Sequence, residues 1–192
     1  EDAVLYVLAN EHAYDTTRIS VGGSSAGGNM ALSLSARLGS ERIKSCFALY
    51  PAAHLTHPER LDTVMGCVSD KFRSGVVIPH WCMKLFINAY TTPGTDMNDP
   101  RLSPMFYDAS KFPKYVAVAC GDADTLYRMS FDLMKKISGS ASGTNVDGSR
   151  KFICVPNEAH EFNTFGRTRA SQEERDRVEG EAINMIRASW RQ

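Results

Sequence analysis

The stretch Ile19-Ser20-Val21-Gly22-Gly23-Ser24-Ser25-Ala26-Gly27-Gly28-Asn29-Met30 decides the fold. It predicts a short β-strand over residues 19–21, then a turn crowded with glycine, then the start of a helix. The segment Gly23-x-Ser25-x-Gly27 has the spacing of a nucleophile elbow, in which a serine sits on a sharp turn between strand and helix. A glycine-rich turn with no chemistry is the alternative interpretation, and the flanking strand and helix favour the elbow.

The elbow would serve nucleophilic chemistry for two physical reasons. The sharp turn exposes Ser25 Oγ, and the helix that follows directs its free N–H groups at the same place, which favours developing negative charge. The N–H of Ala26, the next residue, is therefore a candidate oxyanion donor. We expect the helix over 26–38 to bury a stripe of three apolar residues, Met30, Leu34 and Leu38.

Composition bounds the class of protein. The chain has 192 residues, 43% of them hydrophobic and 23% charged, with a formal net charge of zero. These values are typical of one globular domain, and a neutral chain gives no reason to expect a nucleic-acid partner. The sequence has no apolar run that predicts a membrane span.

The five cysteines are far apart and form neither a CxxC pair nor the spacing of a zinc site, so we expect no metal and no disulfide framework. Three of them, Cys46, Cys120 and Cys154, fall in predicted strands, where a cysteine is usually a small core residue. The odd total of five cysteines favours reduced thiols and a cytoplasmic location.

Strand and helix signals alternate along the whole chain, which predicts a mostly parallel sheet with helices on both faces. Predicted strands cover 19–21, 46–50, 115–120 and 152–155. Helical patterns cover 1–13 and 26–38, follow Pro79, follow the loop 121–124, and begin again at a predicted capping box, Ser171-x-x-Glu174.

Residues 52–110 form a long excursion between two strands and are expected to line a substrate pocket. The helix after Pro79 carries Trp81, Leu85, Phe86 and Tyr90. These side chains fit either a pocket wall or the packed side of a helix, and the packed side is the expectation for each of them singly.

Three reactive residues follow predicted strands: Ser25, Asp124 and His160. Because the carboxyl ends of parallel strands meet at one edge of a sheet, we expect these residues to converge. Ser25 would be the nucleophile, His160 the base, and the carboxylate would orient the imidazole. Asp122 and Glu158 compete with Asp124 for the third role.

The chain resembles the hormone-sensitive-lipase-like esterases, the G-D-S-A-G-G group of the α/β-hydrolases. The motifs that carry the resemblance are Gly23-Ser24-Ser25-Ala26-Gly27-Gly28-Asn29, Asp15-x-x-Arg18-Ile19, Tyr50-Pro51, Ser103-Pro104, Asp124-Thr125-Leu126 and Ala159-His160-Glu161-Phe162. The order serine, aspartate, histidine is also that of the α/β-hydrolases.

The resemblance implies an α/β-hydrolase fold and a serine hydrolase that cleaves small to medium carboxylic esters through an acyl-enzyme, with no cofactor. It also favours Asp124 as the acid. Two departures are Ser24, where the family has an acidic residue, and Glu161, where it has glycine. A receptor-like binding protein on the same fold, or a hydrolase of a lactone, thioester or amide, are the alternatives. The gibberellin receptors, which resemble this family, have lost the catalytic histidine, whereas His160 is present here.

The family's H-G-G-G oxyanion loop lies upstream of the serine, and this chain does not contain it. We therefore expect residues 1–192 to be the C-terminal part of a single catalytic domain, without its N-terminal strands and cap. An upstream segment, covalently joined or held as a separate chain, is the expected partner.

Overall fold

The computed structural model describes residues 1–191. Within them, four strands form a parallel sheet in the order β1-β2-β3-β4. Runs of small, β-branched and aromatic residues form its strands, as the continuously apolar pattern predicts for a sheet covered on both faces. The strands are β1 (Ser20–Ser24), β2 (Ser45–Leu49), β3 (Tyr115–Gly121) and β4 (Arg150–Val155).

Helices connect the strands, so that each crossover joins two neighbouring parallel strands. The helices of residues 1–191 are α1 (Asp2–Ala9), α2 (Ala26–Arg42), α3 (His80–Tyr90), α4 (Tyr127–Ser138), α5 (Phe162–Phe165) and α6 (Arg169–Ser189). Of these, α2, α3 and α4 lie between successive strands, whereas α1 precedes β1 and α5 and α6 follow β4. Short 3₁₀ turns occur at Thr16–Arg18, Pro58–Thr63, Pro104–Phe106 and Ala109–Lys111. The fold class predicted from the alternation of strands and helices is confirmed.

The two faces of the sheet are covered by different helices. α2 and α4 pack on one face, against Cys46 and Val118 among others, and α6 packs on the opposite face, against Ala119 and Val155. The strand period of two sends successive residues of β2 and β3 to opposite cores. Ser25, Asp124 and His160 follow the carboxyl ends of β1, β3 and β4, respectively.

The excursion 52–110 builds a third core of its own. Leu61, Met83 and Ile87 pack there with Leu126 and Met129 from the start of α4. Burial of side chains of this size stabilises a segment by about 1.5–3 kcal/mol each. The excursion is thereby fixed over the carboxyl edge of the sheet, beside the loop that carries Asp124.

The predicted apolar stripe of α2 is wrong. Met30 is exposed, and Leu34 and Leu38 are only partly buried, whereas Leu32 and Ala36 face the sheet with Ala31 and Ser35. The small side chains on this face let the helix approach β1 and β2 closely. The helix therefore packs on the sheet through this face and not through the face that carries the three larger, regularly spaced residues. Gly39, with φ of +74°, interrupts the helix one residue after its predicted end.

The predicted capping box of the last helix is also wrong. The helix begins at Arg169, and the Thr168 side chain accepts the N–H of Ser171 as the N-cap. Ser171 lies inside the first turn, and its hydroxyl donates to Glu158 instead. Two further expectations need correction: the first helix ends at Ala9 rather than residue 13, and Cys154 is exposed.

The packed side of the helix after Pro79 differs from the prediction. Met83 and Ile87 face the core of the excursion. Trp81 and Leu85 are exposed, as are Phe86 and Tyr90. Within residues 1–191, none of the helices combines the length and hydropathy that a membrane crossing requires.

Candidate active site

Ser25 sits on a strained turn between β1 and α2. Its backbone has φ of 52° and ψ of −118°, a conformation that residues other than glycine rarely adopt. Gly23 allows the turn, because a Cβ there would lie 2.5 Å from the carbonyl carbon and oxygen of Gly27. The predicted elbow is therefore present as a backbone geometry, and the glycines serve close approach of strand and helix.

Ser25, His160 and Asp124 form one hydrogen-bonded row. His160 Nε2 lies 3.0 Å from Ser25 Oγ, and His160 Nδ1 lies 2.8 Å from Asp124 Oδ2. Asp124 is fully buried and His160 is 3% exposed, whereas Ser25 is partly exposed. The structure thus brings together the three residues that the sequence singled out, with the serine at the open end of the row.

The second oxygen of Asp124 is held by the chain itself. Asp124 Oδ1 accepts the N–H of Leu126 at 2.8 Å. This bond orients the carboxylate, so that Oδ2 faces the imidazole. With Nδ1–H donating to Oδ2, Nε2 carries the lone pair that faces the hydroxyl of Ser25.

The two competing carboxylates serve other contacts. Asp122 Oδ1 accepts the N–H of Asn157 at 2.7 Å. The carboxylate of Glu158 accepts hydrogen bonds from Arg73, Ser74 and Ser171. Among the described residues, the carboxylate in contact with the imidazole is that of Asp124.

The aromatic ring of Tyr50 packs against the imidazole of His160. The Tyr50 and His160 rings have centroids 4.4 Å apart, and Phe162 packs edge-on against Tyr50. The Tyr50 hydroxyl donates to Asn163 Oδ1. Burial raises the pKa of Tyr50 to about 12, so the phenol stays neutral beneath the histidine at ordinary pH.

Sequence reasoning missed a second layer of contacts from the excursion. Backbone N–H groups of Val68 and Ser69 donate to the carbonyl of Asp122, and the Thr125 hydroxyl donates to the carbonyl of Ile78 at 3.0 Å. Because these bonds join segments more than 45 residues apart, no local sequence pattern predicts them. They fix the loop that carries Asp124 to the excursion.

A cavity of about 500 Å³ opens beside Ser25. Its wall carries apolar side chains from the excursion, with Leu126 and Met30, and none of the described side chains that line it is charged. The excursion contributes Ala52, Leu55, Ile78, Met83, Phe86, Ile87, Ala89 and Tyr90. A site of this size and character suits an uncharged organic group of moderate length.

Ala26, the candidate oxyanion donor, directly follows Ser25 in the chain. It is the first residue of α2, so its N–H has no partner within the helix. Within residues 1–191, no group of three or more histidine, cysteine, aspartate or glutamate side chains is arranged to hold a metal ion.

A family model described as alpha/beta hydrolase fold matches residues 1–164. No curated protein matches the chain significantly. EstE1, a thermophilic carboxylesterase cloned from a metagenomic library, is 24% identical with a TM-score of 0.72, over 98% of this chain and 61% of that protein. Brefeldin A esterase, a bacterial homologue of human hormone sensitive lipase, is 22% identical with a TM-score of 0.66, over 98% and 54%.

A vibralactone cyclase is 14% identical with a TM-score of 0.69, over 98% of this chain and 56% of that protein. Likeness at this level of identity establishes the fold. The chain spans between 54% and 61% of the length of these three solved proteins.

Proposed function

Because the chain belongs to the family of the alpha/beta hydrolase fold, we propose that it carries the catalytic side chains of a serine hydrolase that cleaves small to medium uncharged carboxylic esters. One observation carries the proposal. Ser25 Oγ, His160 and Asp124 form a continuous hydrogen-bonded row, with separations of 3.0 and 2.8 Å, at the mouth of an apolar cavity.

The first half of the reaction transfers the acyl group to the enzyme. Ser25 Oγ bonds to the ester carbonyl carbon while its proton passes to His160 Nε2. The tetrahedral intermediate then collapses, the bond to the alcohol oxygen breaks, and His160 returns the proton to the departing alcohol. Asp124 stabilises the imidazolium that exists between these two transfers.

The second half uses water in place of the alcohol. His160 takes a proton from water, the resulting oxygen attacks the acyl-Ser25 carbonyl, and the proton returns to Oγ as the carboxylic acid leaves. The same histidine serves as base and acid in both halves. No cofactor is required for any of these transfers.

The cavity supports an uncharged substrate. It lies against Ser25 and Ala26, and beyond the serine its side chains are apolar apart from Asn29 and the phenol of Tyr90. Burying a charged acyl group there would leave that charge without a partner, which costs several kcal/mol.

We further propose that an upstream segment completes the site. Ala26 N–H supplies one oxyanion donor, and removing one donor from such a site costs about 10²–10³ in rate. Strand β1 has a neighbour on one side only within residues 1–191, so its other edge is open to another strand. A segment that pairs with this edge would bring a second donor close to Ser25.

Ester turnover tests the proposal. The complete protein, including any residues that precede Glu1, is mixed with p-nitrophenyl butyrate and with the charged p-nitrophenyl succinate. A thioester, a lactone and an anilide with the same acyl length as the butyrate ester are tested in parallel. We expect the neutral ester to turn over fastest, with an initial burst of p-nitrophenol, and Ser25→Ala to abolish turnover. Turnover that survives in Ser25→Ala contradicts the proposal. Ligand binding with no turnover of any of these compounds indicates a receptor-like protein instead.

A further inference from the structure

Glu158 is a fully buried carboxylate that the reaction does not use. It lies two residues before His160, and its side chain is inaccessible to solvent. Burying an ionised carboxylate is unfavourable unless a cation and hydrogen bonds compensate it. A carboxylate buried in this way therefore requires compensating donors from the segments that surround it.

Three donors from two distant segments converge on this carboxylate. Arg73 Nε lies 3.1 Å from Oε1, and the Ser171 hydroxyl donates to the same oxygen at 2.7 Å. The Ser74 hydroxyl donates to Oε2. Both oxygens are thus engaged, and Arg73 supplies the compensating positive charge.

Residues 73–76, here called the clamp segment, run beside the loop that carries His160. The N–H of Val76 donates to the carbonyl of His160 at 2.7 Å, and the N–H of His160 donates to the carbonyl of Val76 at 3.0 Å. The N–H of Ala159 donates to the carbonyl of Ser74 at 2.9 Å. The backbone of His160 is therefore paired on both its donor and its acceptor side by the clamp segment.

Gly75 lets the two backbones approach this closely. Its φ is +95°, and a Cβ at this position would lie 2.3 Å from the carbonyl oxygen of His160. Any side chain at position 75 would therefore prevent this close contact between the two backbones.

Glu158 also meets the loop of Asp124 through its main chain. Its carbonyl accepts the N–H of Ala123 at 3.1 Å, and a Cβ on Gly121 would lie only 2.0 Å from that oxygen. Glu158 is consequently the junction between the loop of the acid, the loop of the histidine and the clamp segment.

We propose that Glu158 is a positioning residue for His160. Its carboxylate anchors Arg73 and Ser74, the clamp segment they belong to holds the backbone of His160, and the imidazole is kept in line with Ser25 and Asp124. The inference rests on the proposed function for its kinetic consequence. Its structural consequence, the geometry of the His160–Asp124 hydrogen bond, stands apart from that function.

Glu158→Gln tests this role in the complete protein, with Glu161→Gln as the matched control. Glu161 directly follows His160 in sequence, so it is at least as near to the histidine along the chain as Glu158, but its side chain caps no helix N–H. Loss of negative charge near the imidazole is common to both variants, whereas loss of the anchor is confined to Glu158→Gln. The readouts are the rate of fluorophosphonate labelling at Ser25, the kcat and KM for p-nitrophenyl butyrate, the melting temperature, and the low-field proton resonance of His160 Nδ1–H.

We expect Glu158→Gln to slow labelling and kcat by about 10–100-fold, because small displacements of a catalytic group have effects of that order. KM should change little, the Nδ1–H resonance should shift or broaden, and Glu161→Gln should behave as the wild type. A folded Glu158→Gln protein with wild-type labelling rate and resonance would overturn the proposal. Equal slowing in both variants would also overturn it, since charge alone would then explain the effect.

Ser74→Ala keeps the proposal testable if Glu158→Gln does not fold. It removes one donor and leaves the Arg73–Glu158 ion pair. We therefore expect a loss of labelling rate at the lower end of the range expected for Glu158→Gln, about tenfold, with the same change in the resonance. A folded Ser74→Ala protein identical to the wild type in both readouts contradicts the positioning role. If the wild type itself is not labelled at Ser25, the proposed function fails, and the resonance alone decides whether Glu158 positions His160.

Discussion

The ring of Tyr50 lies against the imidazole of His160, with centroids 4.4 Å apart and planes inclined by 57°. Tyr50 directly follows β2 and is almost completely buried, so it forms a rigid wall behind the histidine. The ring and the hydroxyl contribute differently, because only the hydroxyl bonds to Asn163. These two contributions can be separated by substitution.

Tyr50→Phe keeps the aromatic ring and removes the hydroxyl that bonds to Asn163, whereas Tyr50→Ala removes the ring itself. We expect kcat to fall by less than about tenfold in the first variant and by about a hundredfold in the second. Tyr50→Ala should also lower the free energy of unfolding by about 3 kcal/mol, the cost of removing a large buried ring. Ester hydrolysis and urea denaturation measure both effects. Equal kcat values for the two variants would show that the ring does not position His160.

Asp124→Asn and Asp122→Asn form a matched pair within one loop. In Asp124→Asn the new side-chain amide would present a donor to His160 Nδ1, which favours the tautomer with the proton on Nε2 and disables the base. We expect kcat to fall by about 10⁴ in this variant. Asp122→Asn should be mild, because an amide oxygen still accepts the N–H of Asn157. Steady-state kinetics checks the ranking, and the reverse order would assign the acid to Asp122.

The reaction needs a neutral imidazole, so kcat/KM should fall as the pH is lowered. Histidine is the side chain that changes charge between about pH 5 and pH 8 in the absence of special perturbation. Tyr50, whose pKa burial raises to about 12, adds no charge change in that range. A pH profile of p-nitrophenyl butyrate hydrolysis checks this expectation. A rate that does not fall at any acidic pH at which the protein stays folded is incompatible with a histidine base.

Residues 1–192 expressed alone test the proposed upstream segment. An apolar sheet with an open edge at β1 tends to associate, and a single oxyanion donor leaves the rate about 10²–10³ below that of a complete site. We expect poor solubility, a loss of cooperative unfolding, or turnover reduced by that factor relative to the complete protein. A soluble monomer that melts cooperatively and turns over at the full rate would mean that this chain supplies the second donor itself.

Much of the fold could be predicted from local patterns. Continuously apolar runs such as Tyr115 to Cys120 identify buried parallel strands, and the glycines around Ser25 identify the elbow. These patterns predict a parallel sheet with helices on both faces, and the α/β-hydrolase fold that the family resemblance implies is confirmed by the family match. The convergence of Ser25, Asp124 and His160 could be expected because parallel strands end at one edge.

The errors have physical causes that a single sequence conceals. Ser171 and Glu174 have the spacing of a capping box, but Thr168 three residues earlier caps the helix, and the Ser171 hydroxyl bonds to Glu158. Cys154 lies in a strand yet is exposed, because β4 is an edge strand of the described sheet.

The support around His160 could not be predicted either. The bonds of Arg73 and Ser74 to Glu158 join residues about 85 positions apart in the chain, and only tertiary structure brings them together. Glu158 appeared from the sequence as a rival of Asp124 for one role. The structure gives it different partners.

Covalent labelling of Ser25 tests the central claim most directly. Ser25 Oγ should attack the phosphorus of a fluorophosphonate, with its proton passing to His160 and fluoride leaving. Mass spectrometry of the complete protein should find one adduct, on the peptide that contains Ser25. Ser25→Ala should not be labelled, and His160→Ala should be labelled far more slowly. An adduct that persists in Ser25→Ala, or that maps to another residue, would contradict the account.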